Sequence, residues 1–486
     1  MRNFISYLLV LILLVCCALS SASAEAPAPG GEIESGSYTY TVQDDGTVMI
    51  IKYNGKDVAL TVPDTLDGIA VTAIGPSAFQ ANEAVTDVII PEGIVSLGDS
   101  AFKRCSSLEN VQLPSSLTEV GVNPFASCEA LMEITVGEAN PNLKIVQGVL
   151  YSLNDFRLIY YSMKNEPGEY KVKKGTRIIG ADAFCECENI TKLVIPKKAE
   201  DEGTVGLTAI GRRAFYHCEN LKAINLEDTD ISTVGADAFA GCLKLKKLTF
   251  PENVTSIAER AFQDCSNLTE LDLPETITSI GDMAFRNCSS LISVRLPDGV
   301  TTIGKNTFAA CKELAELVLP DSLSYIGGGA FQGCEGLKKI ELPDSVDYIG
   351  SEAFSDCISL ESITIPDSCS YIGGSAFFRC QSLKSLTLPS SLYTISPSTF
   401  SGCIALTDVA LPEELEEIGE RAFFCCTALK EIVIPDPVEI IGDFAFSNCI
   451  ALESIELPED LETIGPNTFD QAQLSFLPDL SDMIEE

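Results

Sequence analysis

The sequence predicts an α/β repeat solenoid with a parallel β-sheet on one face and about sixteen coils. The first observation is a period of 23 residues, in which the skeleton I-G-x-x-A-F-x-x-C-x-x-L-x-x-[IV]-x-[IL]-P recurs along most of the chain. Fixed periods of this size are typical of stacked coils, because one coil cannot bury its own apolar face. The second observation is a Phe column that marks the coils. Its members are Phe79, Phe102, Phe125, Phe184, Phe215, Phe239, Phe262, Phe285, Phe308, Phe331, Phe354, Phe377, Phe400, Phe423, Phe446 and Phe469.

The repeat at 280–302 shows what one coil contains. Apolar and other residues alternate over 291–296, which predicts a short strand. Pro297 ends that strand, because proline cannot donate a hydrogen bond to a ladder. The segment 282–287 is long enough for about one helical turn with Phe285 inside. Stacked copies of the strand would form the parallel sheet.

The repeated motif resembles the BspA-like leucine-rich repeat family over roughly residues 70–470. In both, F-x-x-C-x-x-L-x-x-I-x-L is followed by P-x-x-L-x-x-I-G-x-x-A-F, so that Cys replaces one core Leu. The resemblance implies a leucine-rich repeat fold and a secreted or surface protein that serves adhesion or protein binding rather than catalysis. The chain departs from the pattern where Ala258 and Ser396 replace the turn Gly and Asn82 replaces the first Cys. Ala258 and Ser396 indicate that the turn does not strictly require a positive φ.

The N-terminus has the composition of a secretory signal peptide, predicted to span 1–24. Arg2 precedes an apolar run, and Ala-Ser-Ala stands before Glu25. The rest of the chain has no apolar run of 18 residues, so we expect no transmembrane segment after signal removal. The sequence therefore predicts a protein that is secreted, or associated with the cell surface.

The remaining chain is interpreted as one solenoid with a cap at each end, because an open end would expose core and strand edge. An insert that carries Tyr151, Tyr160, Tyr161 and Tyr170 interrupts it. Two interpretations of the insert stay open: a hairpin that patches the sheet, or a Tyr contact site. The predicted segments are a linker at 25–36, a β-rich N-terminal cap at 37–70, repeats at 71–136, a β-hairpin-like insert at 137–178, repeats at 179–470, and a C-terminal cap with an acidic tail at 471–486.

The cysteines predict a reduced core column. Fourteen of the nineteen Cys occupy a position that ordinary leucine-rich repeats fill with Leu. Parallel Cβ atoms about 4.8 Å apart would lie slightly beyond the usual disulfide spacing, and a buried free Cys behaves as a small hydrophobe. Cys185 and Cys425 lie off the column and are expected to be more exposed.

The charge and the missing motifs argue against several functions. A net charge of −38 disfavours nucleic acid and anionic membranes. No Walker loop, G-x-S-x-G elbow or paired-Cys zinc spacing occurs, and the single His, His217, adjoins the core-column residue Cys218. We therefore expect no enzyme, no catalytic residue, no cofactor and no resident metal.

Ten ladder prolines are followed by an acid, for which two interpretations remain. The acids could serve turn chemistry on a solvated rim, or they could form a carboxylate ladder that binds Ca²⁺ weakly. These acids are Glu92, Glu252, Glu275, Asp298, Asp321, Asp344, Asp367, Glu413, Asp436 and Glu459.

The sequence predicts a partner-binding surface on the strand face, where side chains between the ladder residues point outward. The expected ligand is a protein or an extracellular-matrix component, bound in a protein–protein or adhesive interaction. The alternative is a passive structural spacer or surface-layer component without a specific ligand. Patches of side chains that differ from coil to coil would favour a binder over a spacer. No aromatic residue is expected on this face. The predicted contact residues are Lys222, Lys246, Lys247, Glu270, Asp272, Arg295, Lys338, Lys339, Glu341, Lys384 and Lys430.

Overall fold

The computed structural model describes residues 30–197, 206–459 and 461–472. Across these ranges the chain forms a parallel β-solenoid of about 18 turns, and it contains no helix. The α/β assignment is therefore wrong, and the expected sixteen coils are too few. The predicted signal peptide, the linker before residue 30 and the tail beyond residue 472 lie outside the described residues.

The segment that was expected to form a helical turn consists of β-turns instead. Met283 and Asn287, on either side of Phe285, have φ values of 58° and 60°, and left-handed residues break a right-handed helix. Their backbone N–H groups point along the solenoid axis. Met283 donates to the Lys305 carbonyl at 2.9 Å, and Asn287 donates to the Ala309 carbonyl at 2.7 Å. Bonds between coils thus replace the bonds within a helix, and Phe285 remains fully buried.

Two strand ladders run along the solenoid, whereas the sequence predicted one sheet. The first, called the long ladder here, contains the strand that in most coils precedes the ladder proline. Its paired neighbours are parallel, and the hydrogen bonding divides it into sheets of two to four strands. Its strands are Ala59–Thr61, Asp87–Ile89, Asn110–Leu113, Glu133–Val136, Gly168–Lys171, Ile190–Val194, Ala223–Ile224, Lys247–Thr249, Glu270–Asp272, Ser293–Arg295, Glu316–Val318, Lys339–Glu341, Ser362–Thr364, Ser385–Thr387, Asp408–Ala410, Glu431–Val433 and Ser454–Glu456.

The second ladder, called the short ladder here, precedes the Ile-Gly turn of each coil. Most of its strands contain two residues, an exposed one and a buried aliphatic one. Its strands are Ile69–Ile74, Ser96–Leu97, Glu119–Val120, Ile178–Ile179, Ala209–Ile210, Thr233–Val234, Ser256–Ile257, Ser279–Ile280, Thr302–Ile303, Tyr325–Ile326, Tyr348–Ile349, Tyr371–Ile372, Thr394–Ile395, Glu417–Ile418, Ile440–Ile441 and Thr463–Ile464.

Antiparallel strands cover the first coil and bridge the interruption. At the N-terminus, the last of three successive antiparallel strands pairs in parallel with Ile69–Ile74, and so covers the open edge of the short ladder. In the insert, Arg157–Tyr161 pairs in parallel with Ile178–Ile179 and continues that ladder. The remaining strands are Ile33–Ser35, Tyr38–Val42, Val48–Tyr53 and Thr65–Leu66 near the N-terminus, and Leu143–Val146, Val149–Ser152 and Arg157–Tyr161 in the insert.

Two tyrosines explain the additional coils. Tyr53 and Tyr161 occupy the position of the repeated Phe, with ring centroids 5.1 Å from Phe79 and 4.8 Å from Phe184. Each also makes the backbone hydrogen bond of that column, to the carbonyl of Ala78 or Ala183. A count of Phe alone therefore misses the cap coil and the insert coil. All four Tyr of the insert are buried, which excludes the alternative that they form a contact site.

The core contains a Phe stack beside a Cys column. From Phe239 to Phe469, neighbouring Phe rings lie 5.2 to 5.8 Å apart and nearly parallel. Thirteen column thiols donate to the Phe carbonyl oxygen of the preceding coil, as Cys288 does to Phe262 at 3.3 Å. The seventeen Cys of the described residues are free thiols, and all except Cys425 are buried. Cys185 is therefore not exposed, contrary to expectation.

The turn glycines reflect close approach between coils. Gly281 is not among the residues with positive φ, but a Cβ there would lie 2.5 Å from the Glu259 nitrogen of the preceding coil. Ser396 fills the equivalent position and donates its hydroxyl to the Ile372 carbonyl at 2.7 Å. The turn therefore demands a small residue rather than a left-handed one.

Candidate functional site

The outer face of the long ladder carries all eleven predicted contact residues, and each of them is exposed. We call this surface the strand face. Its side chains form three columns, which lie one, two and four residues after the buried Leu of each coil. The first column holds Lys222, Lys246, Lys338, Lys384 and Lys430; the second holds Lys247, Glu270 and Lys339; the third holds Asp272, Arg295 and Glu341.

The structure places these residues on one face without gathering them into a single cluster. Lys247 pairs in register with Glu270, and Lys339 pairs with Ser362. Four coils separate the lysines near 247 from those near 339, or roughly 19 Å at the spacing of adjacent strands. Between them, the first column carries Thr269, Ile292 and Ala315. The strand face thus carries its basic residues in separate places, at 222–247, at 338–339, and at Lys384 and Lys430, rather than as a uniform surface.

Ion pairs between adjacent coils hold several of the charges in place. The Lys247 ammonium lies 2.9 Å from the Glu270 carboxylate, and the Lys384 ammonium lies 2.7 Å from Glu361. The hydrogen bond that Lys384 donates to Glu361 lowers the pKa of Glu361, and the hydrogen bond that Lys247 donates to Glu270 raises the pKa of Lys247. These exposed pairs contribute little to stability, so their main effect is to orient the charges.

Other basic side chains of the strand face are available to a partner. Lys222, Lys246, Lys338 and Lys430 form no ion pair with the carboxylates of the described residues. Unpaired surface cations of this kind attract carboxylates.

Sequence reasoning missed the apolar part of the strand face. Ile292, Val318 and Val433 are 52%, 48% and 61% exposed, between the charged residues of the same columns. Val433 lines a shallow groove of about 490 Å³ together with Ala410 and Pro435. The sequence did contain a signal for these apolar contacts, because aliphatic residues stand at positions that the 23-residue period assigns to the surface. The strand face therefore offers apolar contacts as well as charges.

The acidic rim shows hydrogen bonds between coils. Glu92 accepts from the Ser115 backbone at 2.8 Å, and Asp367 accepts from the Ser390 backbone at 3.3 Å. No group of three or more His, Cys, Asp or Glu side chains that could hold a metal ion occurs in the described parts of the chain. The contacts thus match the interpretation of the rim as turn chemistry, and none of them indicates Ca²⁺.

The single histidine does not activate its neighbouring thiol. The Cys218 thiol is fully buried and donates to the Phe184 carbonyl at 3.0 Å. Burial raises its pKa well above the ordinary value, whereas a nucleophilic Cys needs a lowered pKa. His217 lies 3.6 Å from Glu219 at the surface. This pair therefore offers no nucleophilic chemistry.

A search for apolar helices of membrane-spanning length finds none among the described residues.

Solved structures of bacterial leucine-rich repeat proteins are similar to this chain. One is a leucine-rich repeat protein from Bacteroides ovatus, with 26% identity, 90% of this chain and 92% of that chain covered, and a TM-score of 0.41. Another is a leucine rich cell surface protein from Faecalibacterium prausnitzii, with 27% identity, coverage of 79% and 95%, and a TM-score of 0.43.

No curated protein matches the chain. The family profile of the BspA type leucine rich repeat region matches residues 72–165, 160–232, 177–315, 301–427 and 372–482. These ranges span most of the chain and coincide with the coils described above. The chain therefore belongs to the BspA-type leucine-rich repeat family.

Proposed function

We propose that this protein is a non-catalytic binding protein whose strand face binds a protein or extracellular-matrix ligand outside the cell. The observation that carries the proposal is the arrangement of charge on the long ladder. Groups of lysines at 222–247 and 338–339 lie on one exposed face, and the first column between them is uncharged, with Thr269, Ile292 and Ala315. Proteins of the leucine-rich repeat family bind proteins, which supports this class of ligand. The predicted signal peptide supports the location.

The variation from coil to coil favours a binder over a passive spacer. A spacer needs only a soluble surface, so its columns would repeat as the core does. Instead, successive coils place Lys338, Glu361 and Lys384 in the first column, while Val318 and Glu341 follow one another in the third. A surface preformed on paired strands loses little conformational entropy when a ligand binds.

Replacing Lys338 and Lys339 together by Glu is expected to weaken binding of the strand-face ligand at least about tenfold. The reason is that two cations would become anions opposite carboxylates of the ligand. The ligand is first captured on the immobilised chain from host extracellular material, and its affinity for each variant is then measured by surface plasmon resonance.

The matched control replaces Asp321 and Asp344, which lie on the acidic rim of nearby coils, by Ser. This change should alter affinity less than about twofold. If the Asp pair matters and the Lys pair does not, the ligand binds the rim and the proposal is wrong.

A further inference from the structure

The short ladder carries an exposed row of tyrosines on a different side of the coil. Tyr325, Tyr348 and Tyr371 lie in register on three successive coils. Their ring centroids are 4.7 and 4.8 Å apart, and the ring planes differ by 10° and 12°. Tyr325 and Tyr371 are 39% and 43% exposed, and Tyr393 on the next coil is 54% exposed. We call the three stacked residues the tyrosine row.

The coil does not require tyrosine at these positions. The same column contains Thr302, Thr394, Glu417 and Ile440 in other coils, each followed by a buried Ile. Since short polar residues serve the ladder equally well, packing of the core does not explain the aromatic rings. Large exposed aromatic side chains are enriched at binding surfaces, because they supply contact area at a low cost in entropy.

The stack determines which ring surfaces a partner can reach. Tyr348 has both faces covered, so the row presents ring edges and hydroxyl groups along its length. Tyr325 pairs in register with the smaller residue Thr302, and the position equivalent to Tyr371 in the next coil is Thr394. In addition, the sheet that contains Tyr371 ends there, and the strand at Thr394 begins a separate sheet. Two ring faces thus remain open to a flat or cationic group, whereas a sugar ring would find no face along the middle of the row.

The charge beside the row has one sign. The stretches 321–329, 344–352 and 367–375, which carry the row, contain five acids and no Lys or Arg. None of Asp321, Asp344 and Asp347 forms an ion pair with a cation of the described residues. On the far side of the row lie the half-buried Gly328 and Gly374 and the exposed Ser351, so no bulky side chain occupies these positions.

We propose that the tyrosine row is a second interaction surface, and that its partner is a basic, arginine-rich segment of another protein. Guanidinium groups stack on the open Tyr faces, and the unpaired carboxylates complement their charge. This surface lies on the short ladder and does not depend on the binding proposed for the strand face.

The test measures binding of a fluorescent peptide of alternating Gly and Arg to the full chain at 0.15 M salt. Replacing Tyr325, Tyr348 and Tyr371 together by Thr should weaken binding at least tenfold, although net charge is unchanged. Thr is native to this column, so the coil should stay folded, which circular dichroism checks. The matched control replaces the exposed aliphatic residues Ile440 and Val318 by Thr and should alter affinity less than twofold.

A second pair of variants separates the site from general attraction to an acidic protein. Replacing Asp321, Asp344 and Asp347 by Asn should weaken peptide binding more than tenfold. Neutralising three acids of the strand face should weaken it less than threefold. That second variant carries Glu270→Gln, Asp272→Asn and Glu316→Gln. Equal losses in the two variants would overturn the proposal, as would unchanged binding in the tyrosine variant.

Other occupants of the row would give different results. If sedimentation equilibrium shows wild-type dimers that the tyrosine variant abolishes, the occupant is a second copy. If the wild type binds an uncharged hexasaccharide through the row and ignores the arginine peptide, the occupant is a glycan. Either result overturns the assignment of a basic partner. Replacing Lys338 and Lys339 together by Glu should leave binding of the arginine peptide intact. Failure of the strand-face proposal can therefore be distinguished from failure of the tyrosine-row proposal.

Discussion

Replacing Phe285 by Ala is expected to destabilise its coil by roughly 3–5 kcal/mol, as large-to-small changes of buried aromatic residues do. The ring is fully buried and lies 5.5 Å from both Phe262 and Phe308, so the change leaves a cavity in the middle of the stack. Since each coil contacts mainly its neighbours, unfolding should begin locally. Limited proteolysis should therefore show a new cleavage between residues 260 and 310.

The control for this variant is Ile292→Ala in the same coil. Ile292 is 52% exposed, so its truncation should change stability by no more than about 0.5 kcal/mol. If Phe285→Ala gives the same proteolytic pattern as Ile292→Ala, the Phe stack does not hold the coils together.

The second large effect is unfolding at alkaline pH, which the buried thiols should cause. Burial raises the pKa of Cys265, Cys311 and Cys357 to about 12 from an ordinary value of 9.0. Above pH 9 the unfolded chain loses these protons while the folded chain keeps them. The stability that they contribute is thus complete below pH 9 and is lost as pH rises towards 12, by about 1.4 kcal/mol per pH unit for each thiol.

Many such thiols act together, so a pH titration followed by circular dichroism should show cooperative unfolding between pH 9 and 12. The matched variant replaces Cys265, Cys311 and Cys357 by Ala. At pH 10 the free energy of unfolding of this variant should fall less steeply with pH than that of the wild type, whatever the absolute stability of the variant. The difference between the two slopes should equal the contribution of three thiols. An unchanged slope, or a wild-type fold that persists at pH 12, would contradict the buried-thiol core.

The sequence predicted the core well because the period alone determines which residues face inward. The Phe and Cys columns and the strand at 293–295 lie where the motif indicated. The prediction of a helical turn at 282–287 was wrong because left-handed residues there donate their backbone hydrogen bonds to the neighbouring coil. Those acceptors are not visible in the sequence of a single coil. The short ladder was missed because two-residue strands have no visible alternation.

The candidate site could be predicted in part for a similar reason. Outward positions of the long ladder follow from alternation, and therefore all eleven predicted residues are exposed. The predicted contact residues were all charged, so the prediction did not include Val318 and Val433. Their exposure follows from the same alternation. The tyrosine row recurs every 23 residues and was visible in the sequence, but its significance required knowledge that the short ladder exists.

Lysine footprinting tests most directly whether a partner binds the strand face. The chain is acetylated with and without its captured ligand, and the rate at each lysine is measured by mass spectrometry. Lys246, Lys338, Lys384 and Lys430 should be protected by the ligand. Lys305, which is exposed but follows the Ile-Gly turn of its coil, should react at the same rate in both samples. Protection of Lys305 without protection of the strand-face lysines would contradict the account.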